Sequence, residues 1–208
     1  MLLTKLPSRN VTRNRYEAIF NSMPEIDKNR AILWYPSAKA ELQTLSDIYG
    51  KSLPIVAGMT ARLSPSITWE RNILAVRELL EGKVIVDGYG RNVEIAKDIM
   101  KGRWGDTDCS VSFSFPKTSP KIFCFYHNLL HPFTSTHITI DRWMIRASLA
   151  ENDPHLLHAD VKINRDHYLE LTQRVIDFAL DTNIYPVAMQ AVLWTQIRQT
   201  YKKDRVTA

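Results

Sequence analysis

Two side chains with reactive potential stand 20 residues apart, Lys121 and Asp141. Lys121 closes a proline-bounded turn, Phe115-Pro116-Lys117-Thr118-Ser119-Pro120-Lys121. A lysine amine becomes a nucleophile when a nonpolar site or a nearby cation lowers its pKa, and Ile122 and Phe123 are apolar neighbours. Asp141 follows Ile138-Thr139-Ile140 and precedes Arg142-Trp143. An aspartate there is a good helix N-cap, and its carboxylate can sit where positive charge develops in a reaction. The plainer alternatives are a solvated lysine on a helix's first turn and an aspartate that only caps.

The elements that must carry these residues read as helix after helix. Ala38, Leu42, Leu45, Ile48 and Tyr49 recur at helical spacing, with Gly50 as the stop. Pro54 suits the first turn of a second helix bearing Val56, Met59 and Leu63, which Pro65 ends. Thr68 can cap a third, with Trp69, Ile73, Val76, Leu79 and Leu80 inward and Gly82 at its end. Asn92 opens a fourth, which closes at Gly102. Ile122, Phe125, Tyr126 and Leu129 mark a fifth, before Pro132, and Met144, Ile145 and Leu149 a sixth. Two more follow, on Tyr168 to Ala179 and on Met189 to Tyr201. No segment of useful length alternates like a strand, so the expected fold class is all-α.

Composition narrows the function classes. The chain of 208 residues has material for one domain or two small lobes, and its net charge of +5 permits a polyanionic partner without requiring one. Cys109 and Cys124 are in no metal-ligand spacing, which argues against a disulfide scaffold, a zinc site or an iron–sulfur cluster. The six histidines (His127, His131, His137, His155, His158 and His167) form no metal motif, and His155 and His158 read as loop residues. The first residues are too short an apolar run for a signal peptide, and no run approaches a membrane span, so the expectation is a cytoplasmic protein with no membrane partner. Lys5, Arg9, Arg13 and Arg15 near the start, and Lys202, Lys203 and Arg205 near the end, form basic ends, either solvated or in contact with phosphate.

Four blocks in order, from about Val56 to Arg198, resemble the helix-hairpin-helix DNA glycosylases of the endonuclease III type, in particular short phage and bacterial forms without an iron–sulfur cluster. Phe115 and Pro116 take the first two places of the family's Leu-Pro-Gly-x-Gly-x-Lys-Thr-Ala hairpin, and Lys121 falls on its lysine. Ile140-Asp141-Arg142-Trp143 matches the Val-Asp-Thr-His-like segment that holds the family's catalytic aspartate. Leu63-Ser64-Pro65-Ser66-Ile67-Thr68 resembles the Leu-Ser-x-Gln-Thr-Thr loop, and Gly88-Tyr89-Gly90-Arg91-Asn92 with Ile95-Ala96 the Gly-Tyr-x-x-Lys-Ala turn and helix. The hairpin departs from the family in having Lys117 and Ser119 where glycines bind phosphate, and Trp143 replaces the histidine.

The resemblance implies an all-α, two-lobed fold with an interlobe cleft. One lobe would span 56–135 and carry the hairpin; the other would combine the N-terminal segment with 140–208. It implies cleavage of an N-glycosidic bond in double-stranded DNA, with one nucleotide flipped out. Asp141 would stabilise the oxocarbenium-like sugar, and Lys121 would attack C1′ to form a Schiff base. Ser66, Ile67 and Thr68 would form the wedge loop, with Ile67 as the plug; the alternative is a helix start. Tyr89, Arg91, Asn92, Lys117, Thr118, Ser119, Arg142 and Arg146 would touch the DNA backbone, or serve as turn and surface residues. Trp34, Tyr35 and Trp143 would line the base pocket, where the alternative for Trp34 and Tyr35 is core packing. A monomer without cofactor is expected. The target is a damaged base or a modified phage base, in antiviral defence or in base remodelling. The alternative function is a non-catalytic helix-hairpin-helix DNA-binding module, and a helical adaptor is a third.

Overall fold

The computed structural model describes residues 1–85, 90–115, 120–149, 151, 153–157 and 161–206. Those residues hold eleven α-helices and one short 3-10 turn. Their one β feature is an isolated bridge between Leu2 and Lys162, so the protein is all-α. The chain divides into two compact units, one of residues 36–132 and one of residues 1–35 with 133–208.

The central unit is built on α4 (Leu53–Leu63), which carries Pro54 in its first turn and is buried from Ile55 through Leu63. A helix this largely apolar lies inside, and α5 (Trp69–Leu80), α6 (Gly90–Met100), α7 (Asp108–Ser112) and α8 (Pro120–Leu130) all pack on it. Gly58 lets two of them approach closely. A Cβ built there would meet Val111 Cγ1 at 2.7 Å and Ile99 Cγ2 at 3.3 Å. Thr68 caps α5 by accepting the Arg71 N–H, as its sequence position predicts. Gly82, at φ +75°, ends that helix with Lys83 N–H donating back to the Glu78 carbonyl. α3 (Trp34–Tyr49) begins in the other unit and continues into this one.

The second unit is organised by α11 (Pro186–Val206), on which α1 (Arg9–Ser22), α2 (Glu25–Ile32), α9 (Arg142–Ser148) and α10 (Arg165–Asp181) pack. The sequence reading leaves α1, α2 and α7 out. α1 buries Thr12, Tyr16 and Ile19, a face too polar to announce itself by hydrophobic period. Hydrogen bonds hold that face instead: Tyr16 Oη and Ser148 Oγ lie 2.7 Å apart, and Thr12 Oγ1 donates to the Ser148 carbonyl at 3.2 Å. Burial pushes the Tyr16 hydroxyl up to about 12, so it stays neutral in this network. The basic start is likewise tied down by ion pairs within its unit. Arg9 pairs with Glu170 and Asp177, Arg13 with Glu17 and Asp181, and Arg15 with Glu151. Arg9 and Arg13 keep 56% and 50% of their side chains exposed, so these pairs lie at the surface. No helix of the described residues is long and apolar enough to cross a membrane.

Candidate functional site

Asp141 is positioned by backbone that precedes it. Ile138, Thr139 and Ile140 are buried, and Tyr168 on α10 clamps them: its hydroxyl donates to the Ile138 carbonyl at 2.8 Å and accepts the Ile140 N–H at 3.1 Å. The chain then turns into α9 with Asp141 as N-cap in extended geometry. Its Oδ1 accepts the N–H groups of Trp143 at 2.9 Å and Met144 at 3.0 Å. Its Oδ2 accepts the Trp194 indole N–H at 3.0 Å. The carboxylate is half-buried, so it has one orientation and still borders solvent.

α11 supplies the wall. Gln190, Trp194 and Arg198 recur every four residues and therefore share one helical face. Gln190 Oε1 accepts the Tyr35 hydroxyl at 2.9 Å, Trp194 holds Asp141, and the Arg198 guanidinium lies 4.7 Å from the Trp194 ring. Trp34 stands 6.3 Å from Trp194 and edge-on to Tyr35 at 4.7 Å. A second aromatic group flanks α9, where Trp143 and Tyr201 meet at 6.0 Å and the Arg146 guanidinium covers both rings at 4.7 and 4.8 Å. A carboxylate, two partly exposed tryptophans and an arginine are thus assembled within one unit. They set two indole rings, tilted 45° to each other, beside a fixed negative charge. The sequence reading missed Gln190, Trp194 and Arg198; their shared helical face was the available signal.

The other sequence-expected residues fall as follows. Trp34 and Trp143 are partly exposed and reach the Asp141 neighbourhood through Trp194 and α9. Tyr35, expected to line a base pocket, is 3% exposed and bonded to Gln190, which makes it a packed core residue. Arg146, expected to reach phosphate, is 7% exposed and lies against Trp143 and Tyr201. Arg142 is exposed on the first turn of α9. In the central unit Lys121 is exposed on the first turn of α8. Arg91 is exposed and Asn92 half-buried on α6, which starts at Gly90 rather than at Asn92. Ser66 turns the chain at φ +68°, Ile67 is half-buried, and Thr68 is exposed as the α5 cap. Tyr89, Lys117, Thr118 and Ser119 lie outside the described residues.

Two further groups emerge in the central unit. Arg62 is 3% exposed, donates to the Ser114 carbonyl, and lies 4.8 Å from the Phe115 ring. Burial, with the charge of Arg91, lowers its guanidinium to about 10, which leaves it cationic at neutral pH. It anchors Ser114 and Phe115 against α4. Asp108, His127 and His131 also converge, with Asp108 Oδ2 2.6 Å from His131 Nε2. No curated protein and no solved structure matches the chain. The family model that does match covers residues 3–201, and the chain accordingly belongs to DUF7178, a family of unknown function.

Proposed function

We propose that the chain is a DNA glycosylase of the helix-hairpin-helix kind, which flips out a damaged or modified nucleotide and hydrolyses its N-glycosidic bond. The observation that carries this reading is the setting of Asp141: a carboxylate fixed by two backbone amides and one indole, beside the Trp34–Trp194 surface. As the C1′–N bond breaks, the base leaves with the electron pair and the sugar becomes oxocarbenium-like. A carboxylate already held in place stabilises that positive charge without reorganising. Water then adds at C1′ and loses a proton, and the freed base takes one up. Tryptophan faces suit a flipped base, since base–aromatic stacking is worth about 1–3 kcal/mol. Arg91 and Arg142 are exposed cations suited to backbone phosphates. Lys121, exposed on α8, takes the lyase role that the sequence resemblance implies.

The experiment incubates the purified protein with phage and cellular DNAs of differing base modification and identifies released bases by mass spectrometry. Release that disappears in Asp141→Asn supports the glycosylase; no release across the panel rejects it. Borohydride trapping of a DNA adduct, lost in Lys121→Ala, tests the lyase step by itself. A second reading, a non-catalytic DNA-binding module, is favoured by one observation: both Asp141 oxygens are already engaged in structural hydrogen bonds. Salt-dependent DNA binding that is unchanged in Asp141→Asn, with no base released, would select it.

A further inference from the structure

Asp108, His127 and His131 place three potential ligand atoms within 4.8 Å of one another. The two histidines are four apart on α8, so they project from one face of that helix, a spacing that metal-binding histidine pairs use. Asp108 comes from a different helix, as the first residue of α7. We propose that these three residues form a divalent transition-metal site, occupied by Zn²⁺, with solvent as the fourth ligand.

The donor set fits that ion: two neutral imidazoles and one carboxylate, with an open position, match its preference for nitrogen and oxygen ligands in tetrahedral array. Ligand atoms around tetrahedral zinc stand about 3.3 Å apart, so the observed separations require only a small rotation of side chains. His131 is the more exposed partner, at 45% of its side chain against 36% for Asp108, and its position gives the ion access from solvent. The surrounding shell is built. The Asp108 Oδ1 atom is shielded from solvent and has no hydrogen-bond partner among the described residues, so a coordination bond would satisfy it. The Tyr126 hydroxyl donates to the Asp108 backbone carbonyl at 3.2 Å, which fixes the start of α7. Phe123 and Tyr126 flank the His127 ring at 4.4 and 5.1 Å, an apolar and aromatic wall on the protein side. The ion would replace the direct Asp108–His131 contact and clip α7 to α8.

The test uses tag-free, full-length protein, stripped with a chelator and dialysed. Zn²⁺ is titrated by calorimetry, and Co²⁺ is titrated separately by visible absorption. The expected result is one ion per chain, with the intense d–d bands of a four-coordinate cobalt site. His131→Ala, an exposed position, should weaken Zn²⁺ binding at least tenfold. Asp108→Asn, which preserves shape, should do so too, while His137→Ala, a solvent-exposed histidine elsewhere, should leave binding unchanged. Zn²⁺ should also raise the melting temperature of the wild type but not of His131→Ala. Absence of saturable one-to-one binding overturns the proposal. So does binding that survives both site substitutions, since the ion would then sit elsewhere.

Discussion

The Trp194 indole N–H donates to Asp141 Oδ2 at 3.0 Å, joining residues 53 apart on two helices of one unit. The bond gives one side chain three simultaneous duties. Asp141 caps α9, locks α11 against it, and keeps a carboxylate turned toward the Trp34–Trp194 surface. A side-chain amide, with a single acceptor oxygen, could not meet all of them at once.

Asp141→Asn should therefore be more than a loss of charge. The amide has one acceptor oxygen, so either the α9 amides or the Trp194 N–H is left opposite an NH₂ group. An unsatisfied donor costs about 1–3 kcal/mol. Trp194→Phe removes the competing donor, and the double variant should lose less stability than the two single losses added. Denaturant melts of the four proteins measure this coupling; strict additivity would mean that the indole and carboxylate do not interact.

Trp194→Phe alone keeps most of the ring and deletes the donor. If the glycosylase reading holds, base release should fall by up to about 100-fold, because the carboxylate is no longer held in one orientation. Single-turnover release measured by mass spectrometry decides this, with circular dichroism showing the helices intact.

Gly58→Ala should destabilise the protein by about 1–3 kcal/mol, since the added methyl meets Val111 at 2.7 Å. Helix propensity alone would stabilise it by about 0.5–1 kcal/mol. A chemical melt thus gives the sign directly. Gly58→Ala combined with Val111→Ala should recover part of the loss, because the obstructing Cγ1 is gone.

The α1–α10 charge lattice should shape acid stability. Burial alone would raise the Glu170 pKa, but hydrogen bonds from Arg174 and Arg9, and the charges of both, hold it below the usual 4.5. A depressed carboxylate pKa contributes stability that is fully present above the unfolded value and is lost as pH falls through the folded value. Glu170→Gln should therefore lower stability at neutral pH and flatten the acid limb below about pH 4.5. Thermal melts across pH 2–7 read both effects; parallel wild-type and variant curves would exclude the carboxylate as a contributor.

What is local in the chain was legible in the sequence. Thr68 and Asp141 are caps because a short polar side chain before an apolar helical run satisfies the first amides of that run, whatever lies elsewhere. The all-α class followed in the same way, from apolar spacing and turn residues such as Gly82. Helices whose packing faces lack that signal were not legible. α1 is held by Thr12 and Tyr16 hydroxyls and by arginines whose carboxylate partners lie far along the chain, so its inward face resembles a solvated one. The chemistry divides along the same line. Asp141 can be picked out from its neighbours, but Trp194 is its partner only because α9 and α11 pack together. His127 and His131 are two histidines on one helix until α7 brings Asp108 against them. Residue type and period determine which side chains can cap, turn or bury; the packing of distant helices decides which of them meet.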